Sequence, residues 1–542
     1  MTRLTSPLLL LFTMLVSTTA SAGGLDISAP HPLEPAQASL ADVLAMHAKA
    51  VGSPQMAETT SVEEWSYHKA GVAGTRRTVR RGSDFLTTVT FGPISNRYGS
   101  IRGIRWRQNE NGITAIMAGV HREDEAFKRT IALAEKGQAG EAVTLLGESS
   151  SPVPSYVVQV SPPDGRRSWL FYDKTTGFLV RSEEIFPTGR VTKSFGDFRE
   201  FNGHKLASSA TSSDGDPADD ETSTLVSYKI NVPINEADIE APGNLRELVA
   251  FPDGVSSVPI PGAVHKETGI VIVRVTMNGR GYDLQLDSGA DGIFLDDSVV
   301  GDLGFQRFGY FGQNGASGKF FEGFAVVPDM RIGDLDLKKV VVVAFPFSYH
   351  DREAKVVGLI GYDLLASVGL KIDYDRGTIT AYPRGVVPMP TRAFTLPIAL
   401  DDGVPMVSVK VGEAESDRFV LDTGAFDLTV FPGFAQRHST DVEDQGLGRQ
   451  LHERIDISYR NTVVGDIEVV PTQLKRVALG PNNFNEYLGF VIPPDSPFAF
   501  EDTDGLLGYH LLRFFNLYFD YFHGQVTLQP NGSFFAEAHH RR

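Results

Sequence analysis

The sequence predicts a mainly β protein in which an antiparallel α+β domain precedes two similar β lobes that pair with each other. Three observations predict this class. Short stretches in which apolar and polar residues alternate recur along the chain, as half-buried strands require. The chain contains 54 glycines and 35 phenylalanines, a composition that favours strands joined by many turns. Finally, one pattern of residues occurs twice in the second half of the chain.

The length and composition limit the classes to which the protein can belong. A chain of 542 residues is too long for a single hydrophobic core and predicts two or three domains. Its formal net charge of −17 argues against nucleic acid or an anionic membrane surface as a partner. The absence of cysteine excludes disulfides, thiolate nucleophiles and Cys-ligated zinc together.

The first 22 residues have the features of a secretory signal peptide. Arg3 supplies a positive charge, Pro7–Val16 forms a short apolar core, and Ala20–Ala22 provides a small-residue cleavage site. An apolar core of about ten residues is too short to span a bilayer. We therefore expect cleavage near Ala22 and a mature protein that is periplasmic or secreted, without a transmembrane anchor.

Residues 23–245 are predicted to form the antiparallel α+β domain. Helical spacing predicts one helix over Leu40–Ala50 and a further helical stretch within residues 126–146. Alternating stretches predict strands at Thr87–Phe91, Ile104–Trp106, Tyr156–Val160, Ser168–Tyr172 and Leu179–Glu184.

Part of this domain has a resemblance to a known family. The stretches Trp169–Arg181 and Phe198–Leu206 resemble the curved antiparallel sheet of the LolA-like lipoprotein carriers. In that family the concave sheet holds acyl chains, so the resemblance implies an apolar or lipid ligand for residues 23–245. The alternative is a plain β domain that positions substrates or caps the second half of the chain.

The repeated pattern carries the most specific chemistry in the sequence. An apolar stretch runs into Asp-Ser/Thr-Gly-Ala at Asp287–Ala290 and again at Asp422–Ala425. Downstream, Gly-Leu-x-Gly-Tyr-x-Leu-Leu occurs at Gly358–Leu365 and again at Gly505–Leu512, with Asp-Tyr following each copy. A single Asp-Ser/Thr-Gly is common in surface turns, but two copies with matching flanks indicate an internal duplication.

The duplication sets the predicted boundaries of the second half. A linker is expected over residues 246–262, a first lobe over 263–388, a second lobe over 389–532 and a tail over 533–542, with disorder expected at His539–Arg542. Each lobe should begin with a hairpin whose second strand ends at the Asp, so that strand hydrogen bonds hold the carboxylate in place.

The paired motifs resemble those of the retropepsin-like aspartic peptidases found among bacterial exported proteins, over about residues 263–532. The resemblance implies two retropepsin-like β-barrel lobes related by pseudo-twofold symmetry, with Asp287 and Asp422 as the catalytic residues. It also implies that the Ser288 and Thr423 hydroxyls hydrogen-bond across the axis of symmetry.

The glycines of the two motifs have a predicted steric role. Gly289 and Gly424 allow close approach where a Cβ would obstruct the opposite lobe. This places the two motif carboxylates face to face in the predicted fold.

The predicted reaction is hydrolysis of a peptide bond in a polypeptide substrate, with no metal or organic cofactor. Two carboxylates about 3 Å apart share one proton, and together they activate a water that attacks the scissile carbonyl. Ala290 and Ala425 carry no hydroxyl that could stabilise an ionised carboxylate. We therefore expect activity at about pH 5–7 rather than near pH 2.

A flap is expected over the cleft of the first lobe. Residues Gly309–Lys319 are rich in glycine and lie between the Asp motif and the Leu-Ile-Gly segment, as in the family. Tyr310, Phe311 and Gly312 are the predicted substrate-binding residues, and packing at the base of the flap is the alternative for the two aromatic side chains. The equivalent segment of the second lobe, His438–Ile457, is polar and lacks this glycine pattern.

Three interpretations of function remain open from the sequence. The first is an exported aspartic endopeptidase that works as a monomer, with both lobes of one chain forming the site. The second is a non-catalytic periplasmic binding or carrier protein for a lipid or lipoprotein, in which the lobes are an inactive scaffold. In the third, each lobe pairs with its counterpart in another chain.

Overall fold

The structure is a computed structural model, and its description covers most of the 542 residues. The described residues are 28–30, 33–52, 60–117, 122–162, 166–186, 189–201, 203–265, 268–315, 318–347, 355–438, 458–462, 465–492 and 503–540. The predicted signal peptide lies outside them and stays a prediction. The described part is mainly β, as expected.

Residues 23–245 are called the N-terminal region below. Its strands are β1 Thr60–Lys69, β2 Val72–Arg81, β3 Asp84–Phe91, β4 Ile94–Ile101, β5 Ile104–Gln108, β6 Thr114–Met117, β7 Val143–Ser149, β8 Ser155–Val160, β9 Ser168–Asp173, β10 Leu179–Phe186, β11 Gly189–Phe201, β12 His204–Ser213 and β13 Glu221–Ile230. All neighbouring pairs are antiparallel, in the order β6-β5-β4-β3-β2-β1-β13-β12-β11-β10-β9-β8-β7. The five strands predicted here are present with slightly longer bounds.

Tight turns join most of these strands. Between β1 and β2 the turn residues Ala70 and Gly71 have φ values of 52° and 77°. Positive φ at both central residues is the geometry of a type I′ turn, whose twist matches that of the flanking strands. Such two-residue turns explain why this half of the chain forms a continuous antiparallel sheet.

Two helices cover part of this sheet. They are α1 Leu40–Val51 and α2 Arg122–Ala134, and Ser39 caps the first by accepting a hydrogen bond from the Asp42 N–H. The helix predicted within 126–146 therefore ends earlier than expected. Gly137 and Gly140 have positive φ and break it, and the apolar residues from Val143 onward continue as strand β7.

The first lobe predicted from the sequence, residues 263–388, is called unit 1. With the two strands that precede it, its strands are β14 Val249–Ala250, β15 Val258–Ile260, β16 Gly262–Val264, β17 Val271–Met277, β18 Arg280–Leu286, β19 Ile293–Asp296, β20 Arg307–Gly315, β21 Gly318–Ile332, β22 Leu335–Phe345, β23 Val356–Ile360, β24 Val368–Asp373 and β25 Thr378–Pro383. Its helices are α3 Asp297–Asp302 and α4 Tyr362–Leu365.

The second predicted lobe, residues 389–532, is called unit 2. Its strands are β26 Phe394–Pro397, β27 Ala399–Asp401, β28 Val404–Val411, β29 Ala414–Leu421, β30 Leu428–Val430, β31 Ser458–Thr462, β32 Gly465–Leu479, β33 Asn482–Val491, β34 Gly505–Leu507, β35 Phe515–Asp520 and β36 Gln525–Pro530. Its helices are α5 Pro432–Arg437 and α6 Tyr509–Leu512, and α7 Gly532–His540 ends the described chain.

The strands around the two Asp motifs pair in the same way in both units. In unit 1, β18 pairs antiparallel with β17 and parallel with β23, while β19 pairs antiparallel with β23 and parallel with β22. Unit 2 has the same four pairings. Strand β29 pairs antiparallel with β28 and parallel with β34, while β30 pairs antiparallel with β34 and parallel with β33. Equivalent sequence motifs therefore lie at equivalent places in the two units.

A six-stranded sheet joins the units. Strand β24 of unit 1 pairs antiparallel with β35 of unit 2, with Leu370 opposite Phe519 and Ile372 opposite Leu517. The sheet continues outward as β25 and β15 on one side and as β36 and β26 on the other. These four central side chains are fully buried, so the joint between the units belongs to the hydrophobic core.

Two segments differ from the sequence-based expectation. The predicted linker 246–262 contains β14 and β15, which complete two sheets of unit 1, because Leu248, Val249, Val258 and Ile260 are apolar enough to be buried. Most of the predicted tail, residues 533–542, belongs to helix α7. Phe534 of that helix packs on the core, 5.7 Å from the Phe515 ring.

The N-terminal region packs directly on unit 1. The ring centroid of Phe91 lies 5.8 Å from that of Phe311 and 5.5 Å from that of Phe324. Tyr67 and Tyr98 are buried in the same cluster. Within the described residues, no helix combines the length and apolar character needed to cross a membrane.

Candidate active site

The two motif aspartates are delivered by equivalent strands. Asp287 follows the last residue of β18, and Asp422 follows the last residue of β29. The Asp287 N–H donates to the Ile360 carbonyl, and the Asp422 N–H donates to the Leu507 carbonyl, each at 3.0 Å. The hydrogen bonds between neighbouring strands therefore continue up to the backbone of each aspartate and fix the position of its Cα atom.

The two carboxyl groups meet within one chain. A side-chain hydrogen bond joins Asp287 and Asp422. Each side chain also lies against the glycine of the other motif. An ideal Cβ at Gly424 would be 2.3 Å from Cγ of Asp287, and one at Gly289 would be 2.9 Å from Cγ of Asp422. Real Cβ atoms do not approach so closely, so this meeting requires glycine at both positions.

Each carboxylate is also held by its own loop. The Gly289 N–H donates to Oδ1 of Asp287 at 2.8 Å, and the Gly424 N–H donates to Oδ1 of Asp422 at 2.7 Å. The Ala425 N–H adds a 3.1 Å hydrogen bond to Oδ1 of Asp422. The two carboxyl groups, called the dyad below, are therefore held at their Oδ1 atoms by backbone N–H donors rather than by flexible side chains.

Four hydrogen bonds lock the two loops together. The Ser288 Oγ–H donates to the Leu421 carbonyl at 2.7 Å, and the Thr423 Oγ1–H donates to the Leu286 carbonyl at 2.9 Å. In return, the Ser288 N–H donates to Thr423 Oγ1 at 3.0 Å and the Thr423 N–H donates to Ser288 Oγ at 2.9 Å. Both residues are buried, so each hydroxyl acts as donor and acceptor across the junction of the units.

The environment opposes ionisation of both carboxyl groups. Burial raises the pKa of Asp287 well above its ordinary value, and the negative charge of Asp422 raises it further. Burial also raises the pKa of Asp422, although the Gly424 N–H partly offsets this by stabilising the anion. Two adjacent carboxyl groups of this kind hold one proton between them and titrate as a pair.

Tyr374 and Tyr521, which belong to the Asp-Tyr pairs downstream of the two Gly-Leu-x-Gly-Tyr motifs, lie within electrostatic reach of the motif carboxyl groups. Burial raises the pKa of Tyr521 well above its ordinary value, and the charges of Tyr362, Asp287 and Asp422 act in the same direction. Within the described residues, the Tyr521 and Tyr374 hydroxyls have no hydrogen-bond partner. The sequence shows the repeat of Asp-Tyr but not that its tyrosines lie near the dyad.

The predicted substrate-binding residues lie on β20. Tyr310 is 60% exposed, with the Arg307 guanidinium 4.4 Å from its ring centroid. Phe311 is 4% exposed and belongs to the aromatic cluster with the N-terminal region, so its position corresponds to the packing alternative. Gly312 pairs with Phe321 in the β20–β21 hairpin. Substrate binding by these residues stays a prediction.

The N-terminal region holds the base of this hairpin. The Tyr310 N–H donates to the Ala70 carbonyl, in the β1–β2 turn, at 3.0 Å. The equivalent segment of unit 2 lies outside the described residues except for His438 at its start.

Sequence reasoning missed the polar contacts that the N-terminal region makes behind the Asp287 loop. Asn109 and Asn111 each donate a side-chain hydrogen bond to Asp363, at 2.7 and 2.8 Å. Arg107 forms ion pairs with Asp291 and with Asp402. Asp291 directly follows the first Asp motif and Asp363 lies within the first Gly-Leu-x-Gly-Tyr motif, and the sequence marks both positions because unit 2 has Phe426 and His510 in their places. No sequence signal identifies Arg107.

Among the residues that the structure describes, no group of three or more His, Asp or Glu side chains is arranged to hold a metal ion. Two buried carboxyl groups that hold one proton between them can perform acid–base chemistry on a water molecule.

Comparison with known proteins identifies one part of the chain. Residues 273–364 match the profile of the Aspartyl protease family, a segment that includes Asp287 and Gly361 but ends before unit 2. This part of the chain is therefore similar to aspartyl proteases, as its motif predicts. No curated protein matches the chain.

Three solved structures to which the chain shows some similarity each cover 37% of it. A DUF1329 family protein from Desulfovibrio piger has 13% identity and a TM-score of 0.27, with 95% of its own chain covered. A putative outer membrane lipoprotein-sorting protein domain from Vibrio parahaemolyticus has 9% identity, a TM-score of 0.26 and 95% coverage. A LolA superfamily protein from Nitrosomonas europaea has 13% identity, a TM-score of 0.27 and 97% coverage.

Proposed function

We propose that this protein is an exported aspartic endopeptidase whose two units, related by pseudo-twofold symmetry, form two retropepsin-like lobes around one site. The observation that carries the proposal is the contact between the Asp287 and Asp422 carboxyl groups, locked by the Ser288 and Thr423 hydroxyls. The match of residues 273–364 to aspartyl proteases supports the same chemistry.

The proposed mechanism follows from the shared proton. The ionised carboxylate takes a proton from a water held between the two groups, and the protonated carboxyl donates a hydrogen bond to the scissile carbonyl oxygen. The water oxygen bonds to the carbonyl carbon as the C=O π bond breaks, and the protonated carboxyl gives its proton to the carbonyl oxygen, which yields a tetrahedral diol. Collapse of the diol breaks the C–N bond: the carboxyl that took the water proton passes it to the leaving nitrogen, and the other carboxylate takes a proton from a diol hydroxyl as the C=O bond re-forms, so that the pair again holds one proton. Asp287 and Asp422 exchange these roles as a pair.

The first test replaces each aspartate separately. Asp287→Asn and Asp422→Asn should each reduce cleavage of a peptide library by at least about 1,000-fold, because neither amide can share the proton. Binding of a pepstatin-type inhibitor should weaken in parallel. The matched control is Asp329→Asn, which removes an exposed carboxylate of unit 1 that pairs with Lys338. Substantial cleavage by either dyad variant would refute a shared dyad.

The alternative function is a periplasmic carrier of an apolar or lipid ligand, with the units as an inactive scaffold. It predicts no cleavage by the wild-type protein and ligand binding that the two Asn variants leave unchanged. The intact dyad argues against this alternative, since the loss of either aspartate would be enough to abolish a shared-proton mechanism.

A further inference from the structure

The N-terminal region reaches the back of the candidate active site through one buried side chain. Arg107 lies near the end of β5, and its residue is only 7% exposed. An arginine so deeply buried needs partners, because an isolated buried charge is strongly unfavourable. Its partners come from three parts of the molecule.

The contacts of Arg107 connect both units. Its Nη1 atom lies 3.3 Å from Oδ1 of Asp402 in unit 2 and 3.8 Å from Oδ2 of Asp291 in unit 1. Its Nη2 atom lies 3.8 Å from Oε2 of Glu110, which also accepts a 2.8 Å hydrogen bond from Asn96. One guanidinium from the N-terminal region therefore bridges acidic side chains of unit 1 and unit 2.

The unit 1 end of this bridge is the loop that carries Asp287. Asp291 is four residues beyond Asp287. On the two sides of Asp291, the Ala290 carbonyl accepts the Tyr362 N–H at 2.9 Å, and the Gly292 carbonyl accepts the Gly361 N–H at 2.9 Å. A displacement of Asp291 would therefore also shift the backbone of the loop that carries the Asp287 side chain.

The unit 2 end lies against the same structure. Asp402 sits in the turn between β27 and β28, followed by Gly403. An ideal Cβ at Gly403 would lie 2.6 Å from Cγ of Tyr362, so this turn packs directly on the tyrosine ring. The Asp287 loop contacts Tyr362, and Tyr362 contacts the Asp402 turn of unit 2. Arg107 adds a second connection between this loop and this turn through its ion pairs with Asp291 and Asp402.

We propose that Arg107 is a positioning residue for the dyad, which holds the end of the Asp287 loop in register with unit 2 without touching the reacting atoms. The inference rests on the proposed function, and it makes the N-terminal region part of the peptidase site. Arg107 affects the rate of the chemical step because it helps to place Asp287 correctly relative to Asp422.

The kinetic test compares Arg107→Met and Arg107→Lys with the full-length wild type. Arg107→Met should lower kcat about 10- to 100-fold and change KM less than about threefold, because a dyad out of register impairs the chemical step more than binding. Arg107→Lys, which keeps the charge, should recover much of the loss. The matched control is Arg102→Met, whose guanidinium forms an exposed ion pair with Glu236 in the same region.

The pH dependence separates positioning from a general loss of fold. Burial raises the pKa of Asp291 to about 7, although the charge of Arg107 opposes this, and Asp402, Glu110 and Asp363 add to the increase. Asp291 therefore ionises between about pH 6 and pH 8, and its ion pair with Arg107 is complete only above that range. The ratio of wild-type to Arg107→Met kcat should increase over that interval, whereas a pH-independent ratio would oppose the proposal.

Hydrogen exchange tests the anchoring without reference to activity. Backbone amides of residues 287–292 should exchange about tenfold faster in Arg107→Met than in the wild type or in Arg102→Met. If Arg107→Met does not fold, Asp402→Asn replaces it and should show the same pattern more weakly.

The outcomes distinguish the two proposals. Absence of cleavage by the wild type would refute the proposed function. Unchanged kcat together with unchanged exchange in Arg107→Met would refute the positioning role, as would an effect on KM alone.

Discussion

At the residue scale, the dyad combines close approach with limited solvation. Asp287 and Asp422 share a hydrogen bond, and burial disfavours the anion of each. Backbone N–H groups from Gly289 and Gly424 act in the opposite direction because they stabilise negative charge on Oδ1. The balance leaves both pKa values raised, which is the condition for holding one proton between two carboxyl groups at moderate pH.

The pH–rate profile should therefore be shifted to higher pH. The active form carries one proton on the pair, so activity is lost at low pH when both groups are protonated and at high pH when neither is. Because burial raises both pKa values, both limbs move to higher pH, and we expect an optimum at about pH 5–7. Measurement of kcat/KM from about pH 2 to pH 9 checks this. A sharp optimum below about pH 3 would contradict it.

The cross-unit hydroxyls give a second prediction at this scale. Thr423→Ala should destabilise the protein by about 1–3 kcal/mol, because it leaves the buried Ser288 N–H without an acceptor. The Leu286 carbonyl loses its donor in the same variant. Urea unfolding measures the change. Thr423→Ser keeps the hydroxyl and is the control, so equal stability of the Ala and Ser variants would show that the hydrogen bonds do not matter.

At the element scale, the glycine of each Asp loop decides whether the loops can meet. Gly424→Ala should reduce kcat/KM by about 100-fold or more, because the new Cβ would displace the Asp287 carboxyl that now lies 2.3 Å from that position. Gly301→Ala, in helix α3 with open space around the new Cβ, is the control and should be neutral or slightly stabilising. A fully active Gly424→Ala enzyme would mean that the loops are farther apart than described.

Local patterns predicted many elements well. In the hairpin before Asp287, Asn278 and Gly279 have φ values of 47° and 73°, the two-residue turn that Asn-Gly predicts. The helix predicted at Leu40–Ala50 is present as Leu40–Val51. Elements of this kind depend on neighbours in sequence. The short strands β14 and β15 depend instead on distant partners, and the Pro, Gly and Ser content of their segment predicts a linker.

At the scale of the whole molecule, buried carboxyl groups couple stability to pH. Burial raises the pKa of Asp291 and of Asp363 to about 7, although Asn109 and Asn111 oppose the shift at Asp363 by donating to it. The folded state then binds protons more tightly than the unfolded state, for which carboxyl pKa values lie near 4. The free energy of unfolding should therefore decrease as pH rises from about 4 to 7, and change less above that.

Urea unfolding at a series of pH values tests this coupling. Asp363→Asn should give a smaller pH dependence than the wild type, because the amide does not titrate. Asp329→Asn, at an exposed ion pair, should keep the wild-type dependence. Stability that increases steadily from about pH 4 to pH 7 would contradict the assignment of raised pKa values.

The sequence by itself determined the two Asp motifs, the hairpins that carry them and the mainly β class, because repeated motifs, turn chemistry and alternation are local properties of the chain. Only the tertiary structure decided that Asp287 meets Asp422 within one chain and that Phe311 packs against Phe91. It also decided that Arg107 reaches Asp291 and Asp402. These contacts join residues far apart in sequence, and their free energy comes from burial that no single stretch of chain can provide.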